Sequence, residues 1–303
     1  MPIVFLPLLL IRRRLDGQFS LEIFLKLSDY TSSPIFAMQK SISELFLENN
    51  SHECHKWANY LAVYERHLSP FRGKKPVVLE IGVKRGGSLA LWKKYFGPES
   101  NIIGIDIDPS CERFQSHGLD VYIGDQADEV FLEKVLSAYQ KIDIVIDDGS
   151  HVGSHMIKSF EYIYPRMSNV GIYVVEDVVP SVIASASGEE KRSFVDYACN
   201  LANHLNFGFT TKSELRRMDA KAQGLFSKTG RNTDYYYSGS LLKIAPPSHF
   251  TSITNSVMFY PNMVVFEKLP QGNRSSIKTG KMIPKDFEVF SAYSARVTPP
   301  RSK

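Results

Sequence analysis

The sequence predicts an α/β fold, a doubly wound sheet of seven strands with an antiparallel last strand. Three observations predict it. Short β-branched runs alternate with amphipathic helical stretches from Val77 to Val175. Those runs are continuously apolar, as in parallel strands covered on both faces. Two late apolar runs flank Pro261-Asn262, a tight-turn dipeptide, and so read as an antiparallel pair.

The elements follow in chain order. Residues 35–68 carry a mostly helical pattern, taken as an N-terminal helical cap over 35–72. Val77 to Ile81 is the first strand, and Ser88 to Phe96 the first helix of the sheet domain. Ile102 to Asp106 and Val121 to Ile123 are strands. Asp128 to Tyr139 has helical spacing, with Val130, Phe131, Val135 and Leu136 on one side. Ile142 to Ile146 is a strand, Val152 to Tyr164 a helix and Ile172 to Val175 a strand. Residues 191–206 are helical. Ser256 to Tyr260 and Met263 to Glu267 complete the sheet. The catalytic domain is expected over 73–270, with an insert over about 184–255 that has room for a lid.

Composition narrows the class. Of 303 residues, 43% are hydrophobic and 22% charged, which excludes a disordered or collagen-like chain. Cys54, Cys111 and Cys199 are too scattered for a disulfide framework or a metal-ligand spacing. They read as thiols in a reducing cytoplasm. The apolar run Ile3 to Ile11 is too short to span a bilayer. Arg12, Arg13 and Arg14 follow it, the reverse of a secretory signal. Residues 1–34 are therefore a poorly defined start segment, and no stable membrane insertion is expected. The net charge of +4 comes from the ends. Residues 271–303 hold seven Lys or Arg against Asp286 and Glu288, as a basic flexible tail. What remains suits a cation better than a nucleic acid.

The chemistry-bearing residues fall at strand ends. Glu80-Ile81-Gly82-Val83-Lys84-Arg85-Gly86-Gly87-Ser88 joins the first strand to the first helix, where glycines let a ligand approach the backbone. Its E-x-G-x-x-x-G spacing is not the dinucleotide fingerprint. Asp106 ends the second strand, where a carboxylate can accept both ribose hydroxyls of a nucleoside cofactor. Asp125 or Gln126, after the third strand, can meet an adenine edge, and Asp125 can equally cap the next helix. Asp148 follows the fourth strand, and Glu176 and Asp177 end the fifth. The two ends are neighbours in the usual strand order. Three converging carboxylates repel unless a cation neutralises them, and oxygen ligands suit Mg²⁺. His151 lies where an imidazole can serve as general base. His155 reads as a packing residue. In the insert, Tyr235, Tyr236 and Tyr237 with Arg216 and Arg217 suit either sugar stacking or ordinary core and surface roles.

Taken together, these residues resemble a known family. "LEIGVKRGGSLALWKKYFGPESNIIGIDIDP", "GDQAD", "DIVIDDGSHVGSH" and "YVVED" look like the metal-dependent class I O-methyltransferases of the macrolide-sugar type. "HKWANYLAVYERHLSPFRGKKP" and "FYPNMVVFEK" extend the likeness. Proteins of the cephalosporin-hydroxylase type share much of the pattern. The resemblance implies a Rossmann-like fold, S-adenosyl-L-methionine and Mg²⁺. It implies metal ligands at Asp148, Glu176 and Asp177, with catalysis by His151 and Asp148. It implies cofactor binding at Glu80, Gly82, Gly86, Ser88, Asp106, Asp125 and Gln126. The reaction expected is methyl transfer to a hydroxyl of a small molecule, a glycosylated natural product first. After the acidic pair the chain departs from that pattern with Val178-Val179-Pro180-Ser181-Val182-Ile183, which leaves the acceptor open. A homo-oligomer stays open too. So do an NAD-dependent oxidoreductase and a catalytically silent binding protein.

Overall fold

A computed structural model describes residues 39–117, 119–206, 233–237, 240–244 and 249–270. The unit from Lys40 onward holds every described element. Strands β1 (Val77–Ile81), β2 (Asn101–Asp106), β3 (Asp120–Ile123), β4 (Ile144–Asp147) and β5 (Gly171–Glu176) run parallel. Strands β8 (Thr254–Tyr260) and β9 (Met263–Lys268) complete a seven-stranded sheet in the order β3-β2-β1-β4-β5-β9-β8. Only β9, the last in the chain, runs against the others. A separate hairpin pairs β6 (Thr233–Tyr237), which carries Tyr235, Tyr236 and Tyr237, with β7 (Ser240–Ile244).

Side-chain alternation along the strands fills two apolar layers. Leu79, Val145, Tyr173 and Val175 meet α4 (Glu129–Ser137), α5 (Gly153–Ile163) and α7 (Phe194–Asn206) through Leu132, Phe160 and Phe194. Val78, Ile144, Ile172 and Val174 meet the other layer of helices. That layer comprises α1 (Ile42–Leu47), α2 (Ala58–Leu68) and α3 (Gly87–Phe96), which contribute Ile42, Tyr64 and Trp92. Both faces are thus covered, and this is why the central strands lack polar alternation. The described residues before β1 hold two α-helices, α1 and α2, and a short 3-10 turn. Ser41 starts α1 with a capping box to Glu44.

Two local expectations change. The cap of α4 is Asp128, whose side chain accepts from the Val130 amide, and not Asp125. That start turns Val130 to solvent, 80% exposed, and leaves Leu132 and Val135 as the buried side. A helix not expected, α6 (Val179–Ser187), directly follows β5. Pro180 sits in its first turn and Gly188 ends it at φ 82. Residues 1–38, Arg216, Arg217 and the tail from 271 lie outside the described residues. Among the described residues, no helix is long and apolar enough to cross a membrane.

Candidate active site

Strand order reverses between β1 and β4, so the loops after these two strands meet at the carboxyl edge of the sheet. They meet closely. A Cβ on Gly82, whose φ is 94, would lie 2.2 Å from the Asp148 carbonyl oxygen. Gly86 takes φ 71 at the start of α3, and a Cβ there would strike the Phe114 ring. Asp106 braces this loop. Its Oδ2 accepts from the Val83 and Lys84 amides at 2.8 Å each, and its Oδ1 from Asp108 at 2.9 Å.

A cavity of about 710 Å³ opens along this edge. Gly82, Ser88, Asp106, Asp125 and Gln126 line one part, and Asp148, His151 and Asp177 another. Of the residues expected to bind cofactor, Glu80 and Gly86 are not on its wall. Glu80 points from β1 toward α3, fully buried, and accepts from the Trp92 indole at 3.2 Å. Burial pushes its carboxyl up to about 7. Asp125 accepts from the Ala127 amide two residues on, an Asx turn and not a helix cap. The Gln126 amide is committed at both ends. Its Nε2 donates to Asp147 at 3.1 Å, and its Oε1 accepts from the Ser150 amide at 2.8 Å. Gln126 thereby ties the loop after β3 to the loop that carries His151.

The acidic residues divide in an unexpected way. Glu176 meets Asp148 at the Lys56 ammonium, whereas among the described residues Asp148, His151 and Asp177 group their ligand atoms together. Their nearest ligand atoms lie within 4.8 Å of one another. Glu176 is the last residue of β5, and its side chain falls on the helix-covered face. On that face, the one covered by α1, α2 and α3, both its oxygens accept from Lys56 Nζ at 3.0 Å, and Oε1 also accepts from the Tyr64 hydroxyl. Burial pushes the Glu176 carboxyl up, against the pull of the Lys56 ammonium. Asp177 leaves the strand at φ 47, and that left-handed turn swings its carboxylate into the cavity. His151 sits at φ 57. Non-glycine residues pay strain for such backbones, and these cluster at functional sites.

Among the described residues, Asp148 and Asp177 are each anchored through one carboxylate oxygen, and the other oxygen faces His151. Asp177 Oδ1 accepts from Trp57 Nε1 at 3.1 Å, Tyr60 Oη at 2.6 Å and Asn262 Nδ2 at 2.6 Å. Its Oδ2 faces His151 Nε2 at 4.0 Å. Asp148 Oδ2 accepts from Lys56 Nζ at 2.7 Å, and its Oδ1 faces His151 Nε2 at 3.9 Å. His151 Nδ1 is buried without a hydrogen-bond partner among the described residues. Two carboxylate oxygens thus converge opposite one imidazole nitrogen at a partly exposed spot. The two oxygens fit a divalent cation that keeps waters or substrate oxygens in its shell, and the imidazole is left beside it as a base.

Lys56, Trp57, Tyr60 and Tyr64 have no assigned role in the sequence reading. The signal for the two tyrosines is their i, i+4 spacing, which puts both on the α2 face toward β5.

No family model matches the chain. Among curated proteins, it is 35% identical over 167 residues to the 8-demethyl-8-α-L-rhamnosyl tetracenomycin-C 2′-O-methyltransferase of Streptomyces olivaceus. That match spans 51% of this chain and 44% of the relative. It is 40% identical over 126 residues to the mycinamicin VI 2″-O-methyltransferase of Micromonospora griseorubida, across 38% of this chain and 30% of that protein. This chain is a homologue of sugar O-methyltransferases. Its match covers less than half the length of these curated relatives. Among solved structures, it superposes on the MycE methyltransferase of the mycinamycin pathway, in complex with Mg, SAH and mycinamycin VI. The TM-score is 0.60 at 25% identity, over 85% of this chain and 60% of MycE. The fold of the homologue is accordingly the Rossmann-like methyltransferase fold.

Proposed function

We propose that this protein transfers a methyl group from S-adenosyl-L-methionine to a hydroxyl oxygen of a small glycosylated acceptor, with Mg²⁺ at the acidic site. One observation carries the reading. A single cavity joins a braced glycine loop to two carboxylates that each present one oxygen opposite a histidine. The curated relatives, whose names are those of sugar O-methyltransferases, support the same chemistry.

The chain's own residues supply most of the mechanism. Gly82 gives the cofactor room against the backbone, and Asp106 holds the loop and offers its carboxylate to the ribose. Asp148 Oδ1 and Asp177 Oδ2 would hold the divalent ion, which when bound makes an acceptor hydroxyl more acidic. His151 Nε2 faces the gap between those oxygens and takes the hydroxyl proton as the oxygen attacks the sulfonium methyl. Trp57, Tyr60 and Asn262 keep Asp177 from swinging away, and Gln126 keeps the His151 loop in register. Fixed placement of nucleophile and methyl supplies much of the acceleration.

The catalytic domain is assigned to 73–270, capped by 35–72, with a basic tail over 271–303; the insert over about 184–255 includes α7, which packs in the core and is not part of a lid. A cytoplasmic location, no nucleic-acid partner and no stable membrane insertion fit the scattered cysteines and the acidic cavity. The test is a screen of glycosylated and phenolic acceptors with methyl-labelled cofactor, with Mg²⁺ and with EDTA. Methylation of a glycosylated acceptor that EDTA abolishes is expected. Full turnover in EDTA would overturn the metal role. Binding of NAD in place of S-adenosyl-L-methionine in isothermal titration would overturn the reaction class.

A further inference from the structure

The acidic edge already contains a cation that belongs to the chain. Lys56 reaches it from the segment before α2, across 92 residues of sequence to Asp148 and 120 to Glu176. Its side chain is 3% exposed. Nζ lies 2.7 Å from Asp148 Oδ2, 3.0 Å from each Glu176 oxygen and 3.5 Å from Glu80 Oε1. Asp177, next to Glu176 in the chain, is held by neutral donors instead.

We propose that Lys56 is a resident cation of the site, which takes the electrostatic place of the divalent metal in the metal-free protein and competes with it for Asp148. The inference rests on the metal reading above. Carboxylates this close repel one another, and the repulsion grows as water is excluded. A buried carboxylate that loses its cationic partner is strongly destabilising. The ammonium therefore lets the site exist preformed before metal arrives. The same geometry weakens metal binding. A divalent ion on Asp148 Oδ1 shares one carboxylate with the ammonium on Oδ2, so two like charges flank it. Removal of the ammonium takes away that repulsion and frees Asp148 Oδ2 for the incoming ion. Lys56 is thus a positioning residue that trades metal affinity for a metal-independent fold.

The test compares the wild-type full chain with Lys56→Met, which keeps the stem and drops the charge. Mg²⁺ affinity is read by isothermal titration, and Tm is read in EDTA and in Mg²⁺. In Lys56→Met, Mg²⁺ is expected to bind roughly tenfold tighter or more. Its Tm in EDTA should fall by about 5 °C or more, and Mg²⁺ should restore most of that loss, whereas the wild type gains little. Lys56→Arg keeps the charge and should retain the wild-type affinity. Equal or weaker Mg²⁺ binding by Lys56→Met overturns the proposal and leaves the metal reading standing. Binding by neither protein overturns both. If Lys56→Met does not fold in EDTA, recovery in Mg²⁺ supports the proposal. Failure of both Lys56→Met and Lys56→Gln to fold even in Mg²⁺ overturns it, because the divalent ion then does not replace the ammonium.

Discussion

Two buried lysines stand at opposite edges of the sheet, and their surroundings differ. Lys56 sits at the carboxyl edge among carboxylates. Burial works against its charge, but Glu176, Asp148 and Glu80 outweigh it and hold the ammonium well above its ordinary range. Lys268 ends β9 at the amino edge, 2% exposed, and has no such partners. It donates to the carbonyls of Tyr164, Pro165 and Met167 at 3.1, 3.0 and 2.7 Å. Burial pulls its pKa down to about 8. One edge concentrates formal charge beyond what folding needs. The other satisfies the last carbonyls after α5 and stops there. An excess of charge in a cavity is the mark of a site, and a satisfied cap is the mark of a scaffold.

If the carboxyl edge carries the chemistry, substitutions there should act on turnover first. His151→Ala is expected to lower kcat by roughly 10²–10⁴-fold. Asp148→Ala should cost at least as much. In both, isothermal titration should show S-adenosyl-L-methionine binding retained. Cofactor affinity falling in step with kcat would show that these residues build the cofactor site instead.

The next effect separates the backbone of that edge from its side chains. Gly82→Ala would put a methyl 2.2 Å from the Asp148 carbonyl at φ 94. Overpacking of this kind costs about 1–3 kcal/mol, and left-handed strain adds to it. Urea unfolding should show the loss, and the displaced Asp148 should lower activity further than the stability change alone explains.

Much of this edge is legible in the sequence, for physical reasons. β-branched runs mark buried parallel strands, and the pairing of β4 with β5, Asp147 opposite Val175, brings the chain that follows Asp147 beside Glu176 and Asp177. What is not legible depends on single backbone angles or on distant contacts. Glu176 and Asp177 are adjacent letters, yet one faces Tyr64 and the other the cavity because Asp177 turns left-handed. Lys56 is one charged residue among many until the fold carries it 120 residues to Glu176. Helix α6 carries start and stop residues in Pro180 and Gly188, which the sequence reading does not use.

At the amino edge the expected effect is on stability with little on chemistry. Lys268→Met leaves three buried carbonyls short of a donor and should cost about 1–3 kcal/mol in urea unfolding, with kcat near wild type. The sign of its pH dependence checks the cause. The folded pKa is about 8 against an ordinary 10.5, so the unfolded chain binds more protons between those values. The penalty for burying the charge is complete below pH 8 and relieved toward pH 10.5. Wild-type stability should therefore rise across that window relative to Lys268→Met. A gap that instead shifts against the wild type as pH rises would mean that the carbonyls hold the charged form better than burial opposes it.

The smallest effect comes from the exposed charge beside it. Lys141 Nζ lies 3.4 Å from Asp143 Oδ1, with 60% of its side chain exposed. Asp143 itself is nearly buried, and it accepts from the Val77 amide at 2.9 Å and from Ser168 Oγ at 2.6 Å. Those two bonds tie β1 and the turn before β5 to β4, so Asp143 does not depend on its lysine. Lys141→Ala should change stability by no more than about 0.5 kcal/mol, and salt should reduce even that. Asp143→Ala should cost more, because it strands a buried amide. If Lys141→Ala proved as costly as Lys268→Met, the amino edge would also be held by formal charge, and the contrast between the two edges would fail.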